Sequence, residues 1–305
     1  ARQARWWADR TDEPAVRDRL LAVADEALDT TAGEWADDVA VVTGAGRGSI
    51  AAEVVGGLLA GGATVVATTS SLDSERLALY KDLYRRRARA GARLWVVPAN
   101  MASFSDVDAL VSWITTAQTK TVGSTTTVLK PALVPTLLLP FAAGRVAGQL
   151  SDAGSRAEVD TRILLWSVER LLGGLATTGR DHDLAACLHV VLPGSPNRGM
   201  FGGDGAYGEA KAALDAVAAK WSAEGGWSDR VTIAHAIIGW VRGTGLMGGN
   251  DPIVEAVEAA GEGRQVELRR AQAAREVSRE GLRGRGAPGR RAAQREELGR
   301  HLRGA

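Results

Sequence analysis

The sequence predicts an α/β fold: a doubly wound parallel sheet, with an N-terminal helical extension before it and an atypical Arg-rich C-terminal tail after it. Two observations carry the prediction. From Asp38 onward, strand-length apolar runs alternate with helix-length segments, the order that a parallel sheet with crossover helices requires. The runs themselves, such as "VAVVT" and "ATVVATTS", are continuous rather than alternating, so both faces of the sheet are expected to be covered. A chain of 305 residues, 45% of them hydrophobic, can bury a core of that size. The expected units are 1–37, the helical extension; 38–261, the sheet domain; and 262–305, the tail.

Residues 11–30 read as the extension's helix. Thr11 or Asp12 can cap it, Pro14 suits its first turn, and Val16, Leu20, Val23 and Ala27 share a face. Residues 39–62 read as a strand, a glycine turn and a helix. A second strand follows at 63–70, a helix at 74–90 with Asp73 as its cap, a third strand at 93–100 and a helix at 106–118. The Arg85, Arg86, Arg87 and Arg89 cluster reads most simply as the solvated face of the 74–90 helix, with a phosphate or carrier-protein contact as the alternative. Residues 115–131 are Thr-rich and polar, a surface insertion by composition. "LVPTLLLPFAAG" resumes the sheet, and 155–176 is a long amphipathic helix. "CLHVVLPGS" is a fifth strand, 204–224 a helix, "RVTIAHAIIGW" a sixth strand and 251–261 a last short helix.

The tail is different in kind. It holds 12 Arg against 6 acids, with no Lys and no aromatic residue, while the preceding 261 residues hold 25 basic and 30 acidic groups. The basic pI therefore belongs to the tail and gives no reason to expect nucleic-acid binding by the main domain. Two readings of 262–305 stay open: a solvated tail or linker, or GC-rich DNA read out of frame, which the coding sequence would test.

Cys187 is the single cysteine, so no disulfide framework exists; before an apolar run it reads as a buried structural thiol. His182, His189, His235 and His301 are scattered, with no metal-ligand spacing, and His189 and His235 read as satisfied groups on strands. "ARQARWWADR" has no apolar leader region, and the run 132–143 is too short and Pro-interrupted to span a bilayer. A soluble, cytoplasmic setting without membrane or nucleic-acid partners is expected. The initial Ala suggests a segment excised from a longer chain.

The cofactor motif is "VVTGAGRGSIAAEVV", between a buried strand and a helix. Gly44 permits the tight turn, Gly48 lets the backbone approach a pyrophosphate, and Ser49 and Ile50 open the helix whose N-terminus favours its charge; Gly46 is expected among the cofactor-binding residues. That makes the sheet Rossmann-type. An NAD site commonly has an acid at the end of the second strand; here Thr68, Thr69 and Ser70 are neutral, and Arg47 can pair with a 2′-phosphate. NADPH is the expected cofactor. Asn100, Ala142 and Ala143 end the third and fourth strands, where ligands of open parallel sheets bind.

The chemistry falls in "GSPNRGMFGGDGAYGEAK", residues 194–211. Ser195 follows the fifth strand, and Tyr207 and Lys211, four apart, share a helix face. Hydride delivery to a carbonyl carbon leaves charge on oxygen, and Tyr207 can supply the proton. A phenol titrating near ~10 needs help at neutral pH, and the Lys211 ammonium is expected to lower its pKa. Lys211 can also bind the nicotinamide ribose, and the Ser195 hydroxyl can donate to the substrate oxygen.

These residues resemble a short-chain dehydrogenase/reductase. More narrowly, "VTGAGRGSIAA", "LWVVPANMAS", "LLLPFAAG", "SPNRGMFGGDGAYGEAK" and "IIGWVRGTGLMGGND" resemble the ketoreductase domain of type I fatty acid synthases, especially the bacterial form, over about residues 38–260. The resemblance implies catalytic Ser195, Tyr207 and Lys211, a cofactor contact at Gly239, and NADPH-dependent reduction of a 3-oxoacyl chain on acyl carrier protein beside other synthase domains. Two positions depart from the pattern. "Gly48-Ser49-Ile50-Ala51" lacks the usual third glycine, a feature similar to enoyl reductases. The helix after the fourth strand offers Asp160 and Arg162 where many family members place a catalytic Asn. An enoyl reductase, a polyketide-type ketoreductase and a non-catalytic NADPH-binding module are the alternatives. The YxxxK spacing argues against the first, and a module without turnover would not need all three catalytic residues.

Overall fold

The computed structural model describes residues 2–26, 33–178, 187–199, 202–224, 230–239, 241 and 244. The last expected helix (251–261), the tail, His182 and His301 lie outside them. Two helices precede the sheet, α1 (Arg2–Ala8) and α2 (Pro14–Glu26), where one was expected. Their mutual contact is closed by Ala8 and Ala24, both fully buried, and by an Arg5–Asp25 ion pair. The packed α/β body begins before Asp38: Trp35 is buried under the turn at Gly61 and belongs to the sheet's core.

The chain then alternates as its apolar runs predict: β1 (Val39–Thr43), α3 (Ile50–Ala60), β2 (Thr64–Thr69), α4 (Ser74–Arg87), β3 (Arg93–Pro98) and α5 (Phe104–Thr115). The Thr-rich insertion is an exposed antiparallel hairpin, β4 (Gln118–Val122) with β5 (Thr125–Lys130). Thr is β-branched and suits a pleated surface, so a polar run can still form strands. The hairpin is anchored by Lys130, whose buried ammonium donates to the Ile114 and Pro131 carbonyls and lies 4.7 Å from the Trp113 ring centroid.

β6 (Leu137–Pro140) returns to the sheet. The segment expected as one helix is α6 (Ser155–Thr161), a π-helical turn over Arg162–Trp166, and α7 (Ser167–Ala176). β7 (Leu188–Gly194), α8 (Tyr207–Lys220) and β8 (Val231–Ile237) complete the body. The six strands are parallel in the order β3-β2-β1-β6-β7-β8. Their side chains divide by the period of two. Val41, Val66, Leu138, Val190 and Leu192 pack against α5, α7 and α8. Ala40, Val42, Val65, Ala67 and Leu139 pack against α3 and α4. Each large aliphatic fully buried this way contributes roughly 1.5–3 kcal/mol.

Chain order reverses between β1 and β6, so a crevice opens there at the carboxyl edge. Thr69 ends β2, and every other expected site residue but Gly239 lies in a loop or the first turns of a helix that follows β1, β2, β3, β6 or β7. Arg85, Arg86 and Arg87 are exposed on α4, Cys187 is half-buried, and the buried His189 ring is hydrogen-bonded to Thr232. Among the described residues, no helix is long and apolar enough to cross a membrane.

Candidate active site

A groove of about 510 Å³ lies over the crevice, lined by Gly44, Gly46, Arg47, Thr69, Ser70, Asn100, Ala142 and Ala143 among others. The glycine turn is built for close approach. Gly44 has φ +76°, and a Cβ there would lie 2.7 Å from the Ala142 backbone. The Ala142 N–H in turn donates to Thr43 Oγ1 at 3.0 Å, locking the two turns that flank the crevice together. Gly46 has no atom within 4 Å of where a Cβ would stand, so a side chain there would take up the groove's own space. Ser49 caps α3, its hydroxyl accepting from Ala52 N at 3.1 Å, and Ile50 is the first helical residue. Gly48, with φ +68°, joins that cap to Arg47. Gly239 is exposed beyond β8 and does not line the groove.

At the far end of the groove the charges are mixed. Arg47 Nε stands 3.8 Å from Glu75, and Arg76 pairs with Asp73. Asp73 caps α4 as expected, and its hydrogen bonds from Ser71 and the Arg76 amide hold its carboxyl down at about 2. Sequence reasoning missed Arg76; the signal was its place in the first turn of the helix that follows the neutral Thr69-Ser70 end. Asn100 spends its Oδ1 on the Ala102 amide, which shapes the turn after β3.

Ser195, Tyr207 and Lys211 come together beyond β7. Ser195 is buried and accepts from the Asn197 amide at 3.1 Å. Lys211 is buried, donates to the Pro193 carbonyl at 2.5 Å, and stands 5.5 Å from the centre of the Tyr207 ring. Burial lowers the Lys211 pKa to about 8. The Tyr207 phenol is shifted upward: its own burial is the largest cause, a hydrogen bond with Ser195 opposes it, and the charge of Asp204 adds to it. This differs from the expected lowering by Lys211. Desolvation of the phenol dominates, and the ammonium is turned to a backbone carbonyl.

The glycine-rich loop is tied down by a residue no motif singled out. Asp204 accepts from Asn197 Nδ2 and from the Gly208 amide in the first turn of α8, both at 2.9 Å. Its signal was an acid three residues before the helix start. Of the two residues offered at the departing position, Asp160 is buried against the β6 turn, its carboxylate 2.7 Å from where a Cβ of Gly144 would be. Burial raises its pKa. Arg162 points away, onto Glu158 and the Phe104 ring.

The fold is shared with known proteins. Chains of similar fold include a putative NAD(P)-dependent gluconate 5-dehydrogenase from Beutenbergia cavernae with bound NADP (TM-score 0.56, 19% identity, 73% of this chain and 80% of that one). A short-chain type dehydrogenase/reductase from Mycobacterium ulcerans gives TM-score 0.56 at 20% identity, covering 72% of each chain. The fold is that of short-chain dehydrogenases/reductases. No protein-family model matches. The sequence is 42% identical over 249 residues to the fatty acid synthase subunit alpha of Emericella nidulans, covering 81% of this chain and 14% of the relative.

The chain is a relative of fatty acid synthase alpha subunits.

The Saccharomyces cerevisiae subunit is likewise 39% identical over 74% of this chain and 12% of its own length. The chain therefore spans roughly an eighth of these synthase relatives. They are fungal, whereas the motifs resemble the bacterial form; the agreement is at the level of the synthase.

Proposed function

We propose that the chain is the ketoreductase unit of a fatty acid synthase. It reduces a 3-oxoacyl group on acyl carrier protein to the 3-hydroxyacyl form with NADPH. One observation carries the reading: Ser195, Tyr207 and Lys211 meet at the carboxyl edge of a sheet whose switch-point crevice is walled by a glycine turn. The relationship to synthase subunits supports the substrate class.

The groove fits a dinucleotide. Gly44, Gly46 and Gly48 leave the backbone bare beside the α3 N-terminus, where a pyrophosphate is favoured. Arg47 and Ser70 would hold the ribose phosphate of NADPH, and Ala142 and Ala143 would flank the nicotinamide ribose. When bound, the cofactor supplies the hydride.

The chain's own residues handle the oxygen. The Ser195 hydroxyl donates to the substrate carbonyl and orients it. Tyr207 donates a proton to that oxygen as charge develops there. Burial keeps the phenol protonated until it is needed, the state a general acid requires. Lys211, cationic below about 8, supports the phenolate left behind.

The deciding experiment follows NADPH oxidation with an acetoacetyl thioester beside a crotonyl thioester. Turnover of the acetoacetyl substrate is expected. Turnover of the crotonyl substrate alone overturns the reading in favour of an enoyl reductase, and NADPH binding without any turnover points to a non-catalytic module.

A further inference from the structure

We propose that Asp215 is a positioning residue: by accepting from Arg198 and His235 at once, it fixes the loop that carries Ser195 against the helix that carries Tyr207 and Lys211. The proposal rests on the ketoreductase reading for its kinetic part only.

The geometry joins three elements at one carboxylate. Arg198, three residues after Ser195, donates from Nη1 to Asp215 Oδ2 at 2.7 Å. His235 of β8 places Nδ1 2.9 Å from Asp215 Oδ1. Asp215 itself extends the series Tyr207, Lys211, Asp215 along one face of α8 at a spacing of four. A carboxylate only accepts, so His235 carries a proton on Nδ1. Burial favours the neutral ring; the Asp215 charge opposes it, and the charges of Arg198 and Lys211 reinforce it. The other ring nitrogen, Nε2, is buried with no partner among the described residues and lies 2.4 Å from where a Cβ of Gly194 would be. The imidazole is thus wedged against the last residue of β7, immediately before Ser195.

The loop needs such a tie. Gly199, Gly203 and Gly205 all have positive φ, so the backbone is held by few steric limits of its own. Asp204 secures its inner end and Asp215 the stretch just after Ser195. Arg198 and Asp215 are each about 40% exposed, and such pairs add little to global stability. Their effect should fall on geometry, where a displacement of the order of 1 Å costs on the order of 100-fold in rate.

The test uses the full chain with NADPH and an acetoacetyl thioester. For Asp215→Asn we expect kcat roughly 10- to 100-fold lower. NADPH affinity should stay within about twofold, with little change in KM or in the unfolding midpoint. Asp215→Glu should restore kcat to within about threefold. Amide exchange at Asn197–Gly199 should be about tenfold faster in Asp215→Asn and near normal in Asp215→Glu. Unchanged kcat and exchange in Asp215→Asn overturn the proposal, as does a kcat loss that Asp215→Glu fails to rescue. Should Asp215→Asn not fold, Arg198→Gln removes the loop's link alone and must show the same kcat loss and faster exchange. A wild-type chain without ketoreduction defeats the functional reading, and the exchange comparison then still decides the clamp.

Discussion

Lys211 Nζ donates to the Pro193 carbonyl, and this one bond links the helix that carries Tyr207 to the strand that ends just before Ser195. Both partners are buried, so the bond forms where water cannot compete. The ammonium bears the cost of that burial, its pKa drawn down to about 8. The same lysine is therefore an anchor for the site and a burden on the fold.

The burden predicts a pH dependence of stability. The unfolded chain holds this proton up to about 10.5, the folded chain only to about 8. Between those values the unfolded state binds more protons, so stability must rise with pH across that window. Below about 8 both states are charged and the penalty is complete, about 3 kcal/mol by the size of the shift. Urea unfolding at pH 7, 9 and 10.5 should show the rise in the wild type. Lys211→Met should lack this contribution and be more stable than the wild type at pH 7, while losing reductase activity. A pH dependence identical in both proteins refutes the assignment.

Tyr207→Phe removes the proposed proton donor and little else. The phenol's interactions are with Ser195 and the field of Asp204, neither of which holds the groove. Reduction of an acetoacetyl thioester should fall by about 10²–10⁴, the range typical of general-acid catalysis. NADPH binding, followed by its fluorescence, should stay within about threefold. Loss of binding would assign Tyr207 a structural role instead.

Gly44→Ala and Gly46→Ala separate folding from binding. At Gly44 a methyl group meets the Ala142 backbone at 2.7 Å and demands a left-handed conformation, so unfolding free energy should drop by roughly 3 kcal/mol. At Gly46 a methyl group meets nothing within 4 Å of the protein and projects into the groove. Stability should stay within about 0.5 kcal/mol while NADPH affinity weakens at least about tenfold. Calorimetry with a cofactor titration reads both, and a destabilised Gly46→Ala variant would contradict the geometry.

The legible parts of this molecule were those set by short-range pattern. Val39–Thr43, Thr64–Thr69 and Leu188–Gly194 form strands because uninterrupted apolar runs suit a sheet covered on both faces. The Asp73 cap and the Tyr207–Lys211 face follow from helical spacing alone. What escaped depends on distant partners. Lys130 is polar, yet it is buried because Trp113 and two carbonyls wait for it. The direction of the Tyr207 shift was misjudged because desolvation is a property of the packed site, not of the i, i+4 neighbour. Trp35 looked like part of the extension until the Gly61 turn came to rest on it. Asp215 carried no motif, and its role follows from a strand residue 20 positions later.

Cofactor choice is open to a direct test at the mixed-charge end of the groove. Ser70 follows the second strand without a charge, and Arg47 lines the same space with only a loose 3.8 Å approach to Glu75. A 2′-phosphate would therefore find a guanidinium available and no acid on the strand end. Arg47→Ala should weaken NADPH binding about 10- to 100-fold, the value of a charge-assisted hydrogen bond, and leave NADH binding nearly unchanged. Ser70→Asp should act in the opposite sense for the two cofactors. A carboxylate there repels the phosphate and accepts from the free 2′-hydroxyl of NADH, so the preference should swing toward NADH by at least about tenfold. Dissociation constants from nicotinamide fluorescence decide the matter without reference to turnover. An Arg47→Ala variant that loses both cofactors equally would place the arginine on the pyrophosphate instead.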